Sequence, residues 1–544
     1  MSRFVRASKY RHVFGQPAKK EHGYENVKVS NSAWDTNVIA ASGKYISINW
    51  NASGGGAFAI LPAPSPFGVS STIPYKLPDI IPLARSHTAP VLDTDWSPHS
   101  DETVASAGED GKVMLWKVES RAFEDWGQEH WVPHDFDPVL RIDASPRKVG
   151  QVLWHPTAQH VLASAAGDYA VKLWDLGAPE TPKSILSGHG DAIQSLCFNP
   201  TGQLLVTTCR DRKLRLFDPR AGGDAVRITE GHGGIKGARV VWMGDKDRIA
   251  TTGFSRMSDR QVSIWETGGL GNVKTITVDQ SAGVVMPFWS DNNILFLAGK
   301  GDGNIRYYEY ETDNLYALAE HKSSDPQRGM CFLPRRALNT HECEIARAYK
   351  ITASGIEPIA FIVPRKSDSF QSDIFPPAPS AEPSLTAGEF FSGKTAPAKL
   401  VSLDSGAITA APASATTDAL LSSSAVSAAS APVPTPAAAP AAAAPVTTAA
   451  PTRSYTAPTS APAPAPAPVQ APQPIAKSAT EPLPEPTPTI SASPAGHDDS
   501  ALREENARLT AELREARALI RDLELQVESM KVNARKAAEA LLSQ

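Results

Sequence analysis

Five times along the chain an aspartate stands six residues ahead of an aromatic that closes a short apolar run: Asp110 and Trp116, Asp168 and Trp174, Asp211 and Phe217, Asp259 and Trp265, Asp302 and Tyr308. Each stretch reads as a polar turn feeding a strand, as in Asp110-Gly-Lys-Val-Met-Leu-Trp116. Successive aspartates are 58, 43, 48 and 43 residues apart. A recurring unit of that size buries its apolar face only by stacking on copies of itself, and the period suits the blade of a β-propeller.

Ahead of several beats stands a histidine after serine or glycine (His87, His189, His232), and four residues before three of the aspartates sits a hydroxyl (Ser106, Ser164, Thr207). This is the WD-repeat pattern. The expected chemistry is a buried relay in which the turn aspartate accepts from the histidine, the histidine meets the hydroxyl, and the hydroxyl meets the indole N–H. A hydrolase would use the same residue types, but once per molecule, whereas here they return with the period of the fold. No catalytic residue is assigned, and the chain reads as a binding protein rather than an enzyme.

The repeat claims more than half of the 544 residues for one toroid. From about residue 396 to 497 the sequence is nearly all Ala, Pro, Ser, Thr and Val, which cannot offset the entropy of folding and so predicts a disordered Ala/Pro-rich linker. No run approaches the length of a membrane helix, the first residues lack a signal-peptide core, and Cys197, Cys209, Cys331 and Cys343 show no paired metal spacing. The expectation is a soluble cytoplasmic protein without metal or cofactor. Gly54-Gly55-Gly56 precedes a strand rather than a phosphate-facing helix, which predicts a tight turn or bulge.

Two segments carry binding chemistry. The first 28 residues hold Arg3, Arg6, Lys9, Arg11, Lys19, Lys20 and Lys28 against Glu21 and Glu25, in a chain of net charge −5. Such a stretch is either an ordinary solvated face or an attraction for an acidic filament, a nucleic acid or an anionic membrane. Beyond the linker, Leu502, Asn506, Leu509, Leu513, Ala516, Ile520, Leu523, Val527 and Met530 keep alternating four-three spacing, which predicts a parallel coiled coil. Asn506 would fix its register, and dimer and trimer both remain open.

The run Arg6-Ala-Ser-Lys-Tyr-Arg-His-Val-Phe-Gly15 owes nothing to blade periodicity and closely resembles the coronin signature. The likeness continues through Trp34-Asp35, Ala52 to Phe58, Val278 to Ser281, Gly299 to Tyr308 and Leu385 to Gly393. The resemblance implies an all-β fold with a seven-bladed WD-repeat propeller over residues 1–365, so two blades lack a clear beat. One is expected from Tyr24 to about Pro78; the other spans about Ala319 to Arg365, its outer strand supplied by the chain near Val5 to Phe14. An extension over 366–395 should cross a propeller face, anchored by Phe370, Ile374, Phe375, Phe390 and Phe391. The linker, 396–497, and the coiled coil, 498–544, complete the domain plan.

The resemblance also implies function: binding and bundling of actin filaments, with regulation of the actin-related-protein 2/3 complex, at cortical actin patches. The basic residues that match the family's actin-binding surface are Arg6, Lys9, Arg11, Lys19, Lys20 and Lys28, with Lys28 favoured. Oligomerisation through the coil would supply a second copy at high effective concentration. No nucleic acid is expected as a partner, and membrane contact is not required. The alternative is a WD-repeat scaffold for a peptide or a phosphoinositide membrane. The linker holds only Lys399, Arg453 and Lys477 as cations, which argues against microtubule binding.

Overall fold

Alternation within each beat yields strands that must pair on both edges, and the computed structural model places them in four-stranded antiparallel sheets. It describes residues 6–68, 73–124, 126, 128, 131–367 and 369–410, with Arg508 and Ala511. The chain divides into two units, 1–436 and 437–544. Of the second only Arg508 and Ala511 are described, both helical. The coiled-coil positions Leu502, Asn506, Leu509, Leu513, Ile520, Leu523, Val527 and Met530, and the linker beyond residue 410, lie outside the described residues.

Six four-stranded sheets and one five-stranded sheet follow one another as in a WD40 propeller. In chain order the first six blades cover residues 39–87, 91–143, 149–186, 193–230, 239–279 and 285–321. The last blade joins Gly329–Phe332, Glu344–Ile351 and Gly355–Ile362 to Phe14–Pro17, which lies antiparallel to its outer edge with Phe14 opposite Ile362. Tyr24–Glu25 pairs further along the same edge. First and last blades are thereby closed on each other, and an edge that could recruit another chain is covered.

Three boundaries differ from expectation. The closing strand is Phe14–Pro17 rather than the preceding residues, because Tyr10 and Val13 are buried in the core instead of pairing. The first blade does not end near Pro78: its fourth strand is Leu83–His87, reached by a long connection. Ala319 belongs to Asn314–His321, the outer strand of the sixth blade, so the seventh begins at Gly329.

Each blade's innermost strand lies at the edge of its sheet, and in the third and fifth blades side chains of the preceding blade satisfy its backbone N–H groups. The carboxylates of Asp93 and Asp95 accept from the backbone N–H of Val152 and Trp154, and Ser195 Oγ accepts from Val240 N–H. Asp93, Asp95, Gln151 and Arg239 line an axial channel of about 240 Å³. Burial pushes the carboxyls of Asp93 and Asp95 up to about 8 and about 7.

The polar relay is complete in the second blade. Trp116 Nε1–H donates to Ser106 Oγ at 2.9 Å, Ser106 meets His87 Nε2 at 2.8 Å, and His87 Nδ1 lies 3.0 Å from Asp110. Elsewhere it is broken. Asp168 accepts from Ser145 and Lys172, with no histidine partner. His189 Nδ1 meets the Tyr169 carbonyl, because Arg215, on the strand that follows the turn, captures Asp211 at 2.6 Å. In the fifth blade the hydroxyl is Thr251, bonded to both His232 and Trp265, while Asp259 turns to Ser255. The histidine–aspartate pairing expected at Asp168 and Asp211 therefore belongs to Asp110. Asp110→Ala should cost about 1 to 3 kcal/mol by stranding the buried His87 donor, and Asp168→Ala less than about 1 kcal/mol. Equal melting temperatures for Asp110→Ala and wild type would remove the relay from the stability argument.

Residues 370–395 run across the face formed by the loops between first and second strands. Ile374, Phe375 and Phe390 are buried, while Phe370 and Phe391 are half-buried against the core. Asn292 donates to the Ile374 carbonyl at 2.6 Å, and Leu385 pairs with Ala158. A short helix, Ala387–Phe391, starts at a capping box between Thr386 and Glu389 and sets Phe390 on the His155 ring at 4.2 Å. Residues 399–401 and 408–410, expected as linker, form a three-stranded sheet with Ala378–Pro379. The turn at Asp404 to Gly406, with Gly406 at φ 70°, separates two short apolar runs that bulk composition conceals.

His155 is fully buried; Gly202 accepts at its Nε2, and its Nδ1 accepts from the N–H of Ala158. Burial pushes it down to about 3. Because the folded value lies below the ordinary 6.5, its stabilisation is full above pH 6.5 and is lost as pH falls towards 3. Asp93 and Asp95 have the opposite sign, so a comparison between wild type and variant isolates His155. The stability advantage of wild type over His155→Gln should shrink by about 1 to 3 kcal/mol between pH 6.5 and pH 4. A constant difference in urea melts would contradict this.

Candidate functional site

The basic amino-terminal stretch divides in two. Arg6 forms ion pairs with Glu309 and Glu311 and lies 4.3 Å over the Tyr316 ring. Lys9 Nζ donates to the Asp373 carbonyl at 2.7 Å, and Arg11 donates to the Arg6 carbonyl. Arg6 ties the chain start to the sixth blade and Lys9 ties it to the extension, while Arg11 braces the segment internally. Lys19, Lys20 and Lys28 instead point outward along the edge where the seventh blade meets the first. Lys20 pairs with Glu25 at 2.8 Å, and Lys28 Nζ donates to the Asp79 carbonyl at 3.0 Å.

Three residues near Lys28 had no signal in sequence. Segment 75–80 returns beside residues 25–28 through the parallel bridge of Glu25 with Lys76, and exposes Tyr75, Lys76 and Ile80. Lys19, Lys20 and Lys76 line one open cleft of about 710 Å³. The result is a lysine-rich edge carrying two exposed apolar side chains. Exposed ion pairs such as Lys20 with Glu25 hold the lysines weakly, leaving them available to an outside acid.

Beside this edge, residues 30–37 fold over the opening of the axial channel. Trp34 Nε1–H donates to the Gly150 carbonyl at 2.9 Å, and Lys148 Nζ sits 4.2 Å over its ring. Asp35 lies between Lys300 at 2.7 Å and Arg239 at 3.1 Å. Thr36 Oγ1 donates to the Leu92 carbonyl, and Arg328 donates to that of Ser30. One loop thus touches the second, third, fifth, sixth and seventh blades. Burial opposes the Asp35 charge, but Arg239 and Lys300 outweigh it and hold the carboxyl below its ordinary value. A Cβ on Gly150 would stand 2.3 Å from the Trp34 ring, so the close approach needs glycine.

Gly54 and Gly55 adopt φ of 82° and 141° in the turn before Gly56–Pro62, as expected of a tight turn. Among the described residues no group of three His, Cys, Asp or Glu could hold a metal.

Profiles of the WD domain G-beta repeat match residues 81–117 and 180–218, a type of WD40 repeat matches 356–398, and a domain of unknown function matches 3–67. Human Coronin-2A is 40% identical, over 74% of this chain and 75% of its own, and Dictyostelium discoideum Coronin-A is 42% identical, over 75% and 87%. The chain belongs to the coronin family. A coronin-like protein of Schizosaccharomyces pombe is 51% identical over 74% of this chain and 65% of its own length. The Saccharomyces cerevisiae coronin-like protein is 49% identical over 72% and 60%, so the matched region spans less than two thirds of either fungal relative. The crystal structure of the WD40 domain of Toxoplasma gondii coronin superposes with a TM-score of 0.65 at 28% identity, covering 72% of this chain and 97% of that one. In this coronin the matched region 3–67 is no separate fold: it supplies Phe14–Pro17 to the last blade and three strands to the first.

Proposed function

We propose that the protein binds actin filaments through the lysine-rich edge of the propeller, with Lys28, Lys19 and Lys20 as principal contacts. Membership of the coronin family, joined to the outward placement of these lysines, carries this reading. A filament presents an acidic repeating surface, and Lys76, Tyr75 and Ile80 add charge and apolar area beside Lys28. Arg6, Lys9 and Arg11 belong to the same stretch but act mainly as anchors, since each is engaged within the chain.

On this reading the coil over 498–544 joins two or three copies, so that modest single contacts become filament bundling. Regulation of the actin-related-protein 2/3 complex, and residence in the cytoplasm at cortical actin patches, follow the family. The domain plan is a propeller over 1–365 with an extension, a linker and the coil. High-speed sedimentation with filaments tests binding, and low-speed sedimentation tests bundling. A full-length protein that remains in the supernatant in both overturns the proposal.

A further inference from the structure

A second surface carries unpartnered chemistry, on the same face as residues 30–37 and opposite the face crossed by the extension. Two loops meet there: residues 231–238, leading into the fifth blade, and 255–259, joining its second and third strands. They are bound to each other, since Gly234 N–H donates to the Phe254 carbonyl at 2.8 Å and Lys236 Nζ lies 4.7 Å over the buried Phe254 ring. Their tips present Ile235, 81% exposed, and Met257, 85% exposed, the two highest exposures among the large apolar residues described.

Cations surround these tips. Lys236 and Arg256 flank them, and Arg210, Arg212 and Lys213 line a shallow cleft with Lys236. Among the described residues Arg212, Lys236 and Arg256 have no carboxylate at ion-pair distance, and Arg210 has Asp191 only at 3.9 Å. The acids within the loops are turned inward: Asp211 is held by Arg215 and by the N–H of Gly190, and Asp259 by Ser255. Glu230, opposite Lys213 on the adjoining strand, is the exposed exception.

We propose that this surface docks on an anionic phospholipid bilayer, with Ile235 and Met257 entering the interface and the cations holding lipid headgroups. Charge complementarity decides the occupant, together with the shape of the apolar part. Two separate protruding side chains would need matching sockets in a rigid protein, whereas a bilayer accepts any apolar tip and rewards each nearby cation. The proposal is independent of the filament reading, because it uses none of the residues on the lysine-rich edge.

The test is co-sedimentation of the full-length protein with vesicles of phosphatidylcholine alone and of phosphatidylcholine with phosphatidylserine. Wild type should pellet with the mixed vesicles and not with the neutral ones. The pair Ile235→Glu with Met257→Glu, and separately Lys236→Glu with Arg256→Glu, should each weaken vesicle binding at least about tenfold, with unchanged melting temperature. Lys28→Glu should leave vesicle binding intact. Failure of wild type to bind the mixed vesicles overturns the proposal, as does wild-type binding by both pairs. Loss of filament binding by the two pairs, without vesicle binding by wild type, would make the surface a protein interface instead.

Discussion

Lys28→Glu, or Lys19→Glu with Lys20→Glu, is expected to weaken filament binding by well over tenfold, since a like charge facing an acidic surface can cost several kcal/mol. Lys28 holds its position through a carbonyl 3.0 Å away and an Asp79 carboxylate at 3.6 Å that is itself 84% exposed. Such a contact contributes little to the fold, about 0 to 1 kcal/mol. Melting temperature should therefore stay unchanged while affinity falls, which separates a lost contact from lost folding. Charge-reversed proteins that pellet with filaments as wild type does would move the site elsewhere on the propeller.

The second large effect is expected at Asp35. Asp35→Asn keeps the shape of the side chain but leaves Arg239, whose side chain is 6% exposed, and the half-buried Lys300 facing each other without a counter-charge. Breaking a buried ion pair from one side costs about 3 to 5 kcal/mol. A drop in melting temperature of roughly 4 to 6 °C is expected for a domain of this size. The loss should be larger than for Asp168→Ala, whose partners are a hydroxyl and a half-buried lysine. A change of less than about 1 kcal/mol would mean that residues 30–37 merely lie on the channel mouth without holding the blades together.

The difference between these two sites shows what a single sequence discloses. The five beats were legible because a turn aspartate, an alternating strand and a closing aromatic are local, and all five fall where third strands form. Relay partners were less legible. Nothing in the repeat says that Arg215 will take Asp211 from His189, since that depends on a side chain reaching back along its own strand. Trp34 and Asp35 were noticed as part of a family likeness, but their partners Gly150, Arg239 and Lys300 are more than a hundred residues away. Lys76 and Ile80 reach the neighbourhood of Lys28 only because the last connection of the first blade folds back on the chain start. Charge counting found Arg6 and Lys28 alike; geometry separates an arginine paired with Glu309 from a lysine that points outward.

Equilibrium co-sedimentation of the full-length protein with actin filaments, repeated from about 50 to 200 mM salt, tests the filament-binding role most directly. Saturable binding that weakens progressively with salt is the expected result, since screening shortens the reach of exposed lysines. Absence of binding at low salt, or binding indifferent to salt, would contradict a filament site built from Lys19, Lys20 and Lys28.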